Sequence, residues 1–176
     1  MRTATFALFI GVAYLAAGVL GMVPDALHAP APEAPPTTFT VLYGNLLGLF
    51  PVNVLHSVVH LVIGVVGLAA WQADHVWHRM SSPRTYARAL AILYGTLAVL
   101  GLIPGLNTLF GMLPLYGHDV WLHLGTAILA AYFGWRSVVE VERRAAERVD
   151  RREQAVPVDH DRRAGHSDRR IPGSEV

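Results

Sequence analysis

The sequence predicts an all-α membrane fold, a four-transmembrane-helix bundle built from two parallel helical-hairpin repeats. Three observations carry that expectation. Four apolar runs of about twenty residues fall within residues 1–139, and twenty helical residues rise about 30 Å, the thickness of a bilayer's hydrocarbon core. The charges are segregated: of the fourteen basic and thirteen acidic side chains in the 176 residues, nine lie in residues 1–139 and eighteen in residues 140–176. The last two apolar runs also repeat features of the first two. An ordinary soluble domain is excluded.

The first span covers about residues 4–23 and ends at Pro24. A signal peptide would have an apolar region of only about 7 to 15 residues, so this segment reads as a mature helix. Residues 25–38 (DALHAPAPEAPPTT) are Pro-rich and lack a basic residue, as expected of an extended loop outside the bilayer. The apolar stretch from Phe39 to Trp71 is too long for one crossing, and Pro51 divides it. Phe39 to Phe50 reads as a short interfacial or partly re-entrant piece, and the second span as about 51–71. A polar segment with Asp74, His75, His78 and Arg79 follows, and Ser82-Pro83 supplies an N-cap and a first-turn proline for the third span, about 83–103. A link holding Gly111 and Pro114 leads to the fourth span, about 118–139.

Basic residues set the expected orientation. Arg2, then Arg79, Arg84 and Arg88, then the tail arginines all lie on one side, and the two opposite loops have none. The positive-inside rule makes this a multi-pass plasma-membrane protein with both termini cytoplasmic. Residues 140–176 read as a charged cytoplasmic tail, helical to about Arg152 from its opposite charges three and four apart, and disordered beyond Pro157. Its nine arginines and nine acids cancel, so the predicted partner is the lipid bilayer and not nucleic acid. Homo-oligomerisation and soluble partners are left open. The absence of cysteine removes disulfides, thiolate metal sites and thiol nucleophiles.

Setting Tyr14 against Tyr94 aligns GVLGMVP (18–24) with AVLGLIP (98–104), and setting Pro51 against Pro114 aligns GLFP with GMLP. Each unit is a two-helix hairpin of the same orientation, which predicts a parallel pseudo-twofold along the membrane normal.

That alignment superposes His56 on Asp119 and His60 on His123. A spacing of four puts each pair on one helical face. Ionisable groups cost about 2.5 to 3.5 kcal/mol each in hydrocarbon, so these four should face the interior and one another. Asn53 falls on the same stripe of the second span, with Gly64 and Gly67 deeper. His60 lies about 13 Å inward of Pro51 and Tyr14 about 15 Å from Pro24, which sets Tyr14 and Tyr94 level with the histidines as supporting residues. Four readings of the cluster stay open. It could be a hydrogen-bonded polar core that fixes how the hairpins assemble. His56, His60, Asp119 and His123 could instead bind zinc or iron. His60 and His123 could be axial ligands of haem b, or the cluster could form a proton or ion pathway. No Walker loop, dinucleotide fingerprint, HExxH motif or nucleophile elbow is present, so a structural or binding role is favoured over an enzyme.

The segments FALFIGVAYLAAGVLG, LLGLFPVNVLHSVVHLVIG, YARALAILYGTLAVLGL and LFGMLPLYGHDVWLH resemble a domain-of-unknown-function family of small bacterial integral membrane proteins with four predicted helices. The combination LFPVNxLHxxxH plus GHDxWLH joins Asn53, His56, His60, Asp119 and His123 in order. The resemblance implies a multi-pass membrane protein and supplies no activity.

Overall fold

The computed structural model describes residues 3–76 and 82–154. Arg2, His78, Arg79 and the segment beyond Pro157 lie outside the described residues. Two compact units are present, Met1–Val138 and Val139–Val176. In the second, the described residues are helical and carry an Arg143–Glu147 ion pair of 2.8 Å.

The first unit is mostly helical. Helix α1 (Thr3–Leu20) turns Phe6, Ala7, Gly11, Tyr14 and Gly18 inward at spacings of three, four and one, and leaves Phe9, Val12 and Val19 exposed on the other side. Both faces are apolar, as in a helix whose outer face meets hydrocarbon. Helix α2 (Val54–Val76) begins at Asn53, whose Oδ1 accepts a hydrogen bond from His56 N at 2.9 Å and so caps the first turn. Helix α3 (Pro83–Gly101) starts at Ser82, whose hydroxyl accepts from Thr85 N at 3.2 Å, and has Pro83 in its first turn. Helix α4 (His118–Gln154) follows Gly117, which takes a positive φ of 64°. Two helical segments, Thr3–Leu20 and Val54–Gln72, are long and apolar enough to cross a membrane. In α3 the first two turns carry Arg84 and Arg88, and α4 carries His118, Asp119 and His123, which lowers the apolarity of both.

One apolar cluster draws on all four helices: Phe6 and Tyr14 from α1, Ala70 from α2, Tyr86, Leu90 and Tyr94 from α3, and Ala127 and Ala130 from α4. Small residues let α1 and α2 approach closely. A Cβ on Gly64 would stand 2.7 Å from Leu15 N and 2.8 Å from Gly11 O.

A small antiparallel sheet modifies the all-α expectation. Strands β1 (Leu27–His28), β2 (Gly44–Leu46) and β3 (Phe50–Val52) pair in that order, with Leu27 opposite Leu46 and Asn45 opposite Pro51. The Phe39–Phe50 segment therefore contains turns and β2 rather than helix. Pro51 is tolerated because β3 is an edge strand, and strands this short show no readable alternation. Leu42 and Leu47 adopt left-handed φ values of 53°, as do Leu109 and Phe110 at 45° and 59°, in the turns around this sheet and in the 104–117 link.

The two turn regions are tied together over the start of α2. Asn53 Nδ2 donates to Phe39 O at 3.1 Å and to Met112 O at 2.8 Å, and Thr38 N donates to Gly111 O at 2.7 Å. Gly111 has φ of 84° and an added Cβ would strike the Thr38 hydroxyl, so this contact needs glycine on both counts. Tyr43 and Tyr116 share a hydrogen bond of 2.6 Å between their hydroxyls. Burial, with that bond, raises the Tyr116 phenol above its ordinary value.

Candidate metal centre

Beneath this cap, five aromatic rings from four helices close a circuit. Going round it, the centroid separations are 5.0 Å for Tyr14–His60, 4.4 Å for His60–His56, 6.0 Å for His56–His123, 4.8 Å for His123–Tyr94 and 5.1 Å for Tyr94–Tyr14. Three imidazoles form one arc and two phenols the other. His56 and His60 share a face of α2 because they are four residues apart, and Asp119 and His123 share one on α4 for the same reason. Asp119 and His123 are each only 1% exposed.

The imidazoles converge. One ligand nitrogen from each of His56, His60 and His123 lies within 4.8 Å of the other two. Asp119 does not join this mutually close set; its Oδ2 lies 3.4 Å from His123 Nδ1. Around the His56 ring the carbonyls of Pro51 and Pro114 stand as hydrogen-bonding neighbours, leaving Nδ1 without a partner.

Most polar atoms of the cluster have no protein partner. Eight are buried without a hydrogen bond: His56 Nδ1, both nitrogens of His60, both of His123, Tyr94 Oη and both oxygens of Asp119. Buried polar groups in native proteins are paired in about nine cases out of ten, and an unpaired one costs about 1 to 3 kcal/mol.

Tyr14 is different from Tyr94. Its hydroxyl shares a 3.0 Å hydrogen bond with Thr126 Oγ1, one turn past His123. Tyr94 Oη is near the Tyr14 hydroxyl but makes no hydrogen bond of ordinary geometry.

The structure thus brings together His56, His60, His123, Asp119, Tyr14 and Tyr94. Asn53 stands apart as the cap of α2 and the tie between the outer turns, fully buried but outside the ring circuit. Thr126, which continues the stripe of His123 along the fourth span as helical spacing predicts, joins the site through Tyr14. Two further contributors had no signal of their own in the sequence. Ser57 donates to Asn53 O at 3.0 Å, and its Oγ occupies the place where a Cβ on Gly21 would lie. Tyr86 reaches over Gly67 and donates to Ile63 O at 3.2 Å.

These features define a mostly helical protein with two helices of membrane-crossing length and a buried histidine, aspartate and tyrosine cluster. The chain belongs to the family described as Domain of unknown function (DUF4383), whose profile matches residues 4–136. No curated protein and no solved structure matches it.

Proposed function

We propose that this chain is a four-span membrane protein that holds a divalent transition-metal ion, such as zinc or iron, on His56, His60 and His123. The observation that carries the reading is the convergence of three buried imidazoles, five of whose six nitrogens make no hydrogen bond. A polar core held by mutual hydrogen bonds would pair these atoms with one another. Ligands at about 2.0–2.1 Å from a tetrahedral ion are about 3.3 Å apart, so the nitrogens need close by no more than about 1.5 Å. Asp119 serves His123 in the manner of a carboxylate that orients a ligating imidazole. A haem between His60 and His123 is disfavoured on steric grounds, because the His56, Tyr14 and Tyr94 rings fill the space a macrocycle would need.

All four helices are membrane spans in this reading, α1–α2 and α3–α4 being parallel hairpin copies with both termini cytoplasmic. Large apolar side chains point outward on every helix, among them Phe9, Val62, Ile92 and Ile128. Arg88 donates to Gly134 O at 2.9 Å and lies over Trp135, an anchor suited to the interface at the arginine-bearing end.

The test is to purify untagged protein in mild detergent and measure bound metal and visible absorption beside a His60→Ala, His123→Ala double variant. Stoichiometric metal lost in the variant is expected; equal metal in both overturns the assignment. Because the chain has no cysteine, Ala31→Cys and Ala155→Cys can be labelled in intact cells without background. An impermeant maleimide should reach only the first; labelling of the second overturns the topology.

A further inference from the structure

The further inference rests on the metal reading and asks what completes the ion's coordination. Three imidazoles leave a tetrahedral ion one open position. Ligation through His56 Nδ1, the unpaired nitrogen of that ring, and one nitrogen each of His60 and His123 would satisfy three of the unpaired atoms. His123 Nδ1 faces Asp119 Oδ2, so His123 ligates through Nε2. Among the unpaired buried atoms, this leaves the second nitrogen of His60, Asp119 Oδ1 and Tyr94 Oη. The Tyr94 ring stands beside the ring of His123, 4.8 Å between centroids, on the arc of the circuit that supplies no ligand. Its partner on that arc, Tyr14, is already engaged by Thr126. Tyr94 is therefore a buried hydroxyl beside the histidines whose neighbour, the Tyr14 hydroxyl, is already engaged by Thr126.

Charge points the same way. A divalent ion, three neutral imidazoles and the Asp119 carboxylate sum formally to +1 in an interior where an unbalanced charge is costly. A monovalent anion at the open position brings the site to zero, and a neutral ligand does not.

We propose that the fourth position takes a small monovalent anion from outside the protein, displacing solvent, with Tyr94 Oη donating a hydrogen bond to it. Tyr94 is an anion-binding residue in this scheme, and Asp119 a positioning residue that acts through His123.

Cobalt(II) and azide provide the probe. Full-length protein in detergent is loaded with cobalt(II), whose visible bands report coordination, and titrated with sodium azide. The wild type should show a saturable band shift. Tyr94→Phe should keep its cobalt and bind azide about tenfold or more weakly, the range for a lost hydrogen bond to a charged group. Tyr132→Phe, on the exposed face of α4 and outside the ring circuit, should titrate like the wild type. Cobalt bound with no response to azide overturns the anion site and leaves the metal reading standing. An equal azide affinity in wild type and Tyr94→Phe overturns the role of Tyr94. Failure of the wild type to bind cobalt overturns the metal reading and this inference with it.

Discussion

The α1–α2 pair sends one tyrosine and two histidines into the ring circuit and the α3–α4 pair one of each, and the two pairs are held together in different ways. In the first pair the backbones meet through the middle of the helices: a Cβ on Gly11 would lie 3.0 Å from Leu68 N, one on Gly64 2.7 Å from Leu15 N, and one on Gly18 2.8 Å from Ser57 O. In the second pair the middle is looser. A Cβ on Gly95 would meet only Ala127 Cβ, at 3.9 Å. Tight glycine contacts there fall at the ends, where Gly101 abuts Leu115 O and a Cβ on Gly134 would lie 3.2 Å from Arg88 N. The widest gap in the circuit, 6.0 Å between His56 and His123, spans the two pairs, against 4.4 Å within α2. The α1–α2 pair therefore presents its two imidazoles from closely packed backbones, and the third reaches them across the wider gap from α4.

The largest expected effect comes from forcing side chains into the rigid crossing. Gly64→Ala should cost about 2 to 4 kcal/mol, because the contacts it meets are backbone atoms that cannot swing away. Gly95→Ala should be neutral or stabilising by up to about 1 kcal/mol, since the space exists and alanine favours helix. Thermal unfolding in one detergent measures both. Equal losses would mean that the two pairs pack alike.

A second contrast lies at the heads of α2 and α4. Asn53→Ala removes the acceptor for His56 N and both donors that tie Phe39 and Met112 to the helix, a loss of about 2 to 3 kcal/mol. His118→Ala, at the exposed first position of α4, should change stability by less than about 0.5 kcal/mol. The same unfolding measurement distinguishes them.

Much of the candidate site was legible because helical spacing is arithmetic. The four-residue intervals in His56/His60 and Asp119/His123 put each pair on one face, and counting inward from the prolines put Tyr14 and Tyr94 at the level of His60 and His123, beside which their rings stand. The separate work of Asn53 was not legible: an asparagine one residue ahead of a helix and one inside its first turn look alike in sequence. The small sheet was hidden too, because strands of two or three residues, one containing proline, depend on partners far along the chain. The separate place of Asp119 needed distances, since the sequence set it level with three imidazoles, whereas its Oδ2 lies 3.4 Å from His123 Nδ1 and outside the set of converging nitrogens.

That separation is testable at intermediate magnitude. If Asp119 orients His123 and is not itself a ligand, Asp119→Asn should weaken zinc binding about 10- to 100-fold and leave the stoichiometry at saturation unchanged. His60→Ala, which removes a ligand from the rigid pair, should weaken it further. Competition with a chromophoric chelator gives both affinities, and an Asp119→Asn loss as deep as that of His60→Ala would make the carboxylate a ligand after all.

The smallest effect separates the two tyrosines. In metal-free protein, Tyr14→Phe breaks the hydrogen bond to Thr126 Oγ1, which crosses from α1 to α4 and so joins the two helix pairs. A loss of about 1 kcal/mol is expected, and Thr126→Val should reproduce it without adding to it in the double variant. Tyr94→Phe removes a buried hydroxyl that has no partner, so its metal-free stability should hold or rise by up to about 1 kcal/mol. The order of the two tyrosines should then reverse in the loaded protein with azide present, where Tyr94 has an anion to address and the Tyr14 bond is unchanged. A Tyr94→Phe variant that is destabilised without metal as much as Tyr14→Phe would show that its hydroxyl is already satisfied, and that the two halves of the circuit are more alike than their packing.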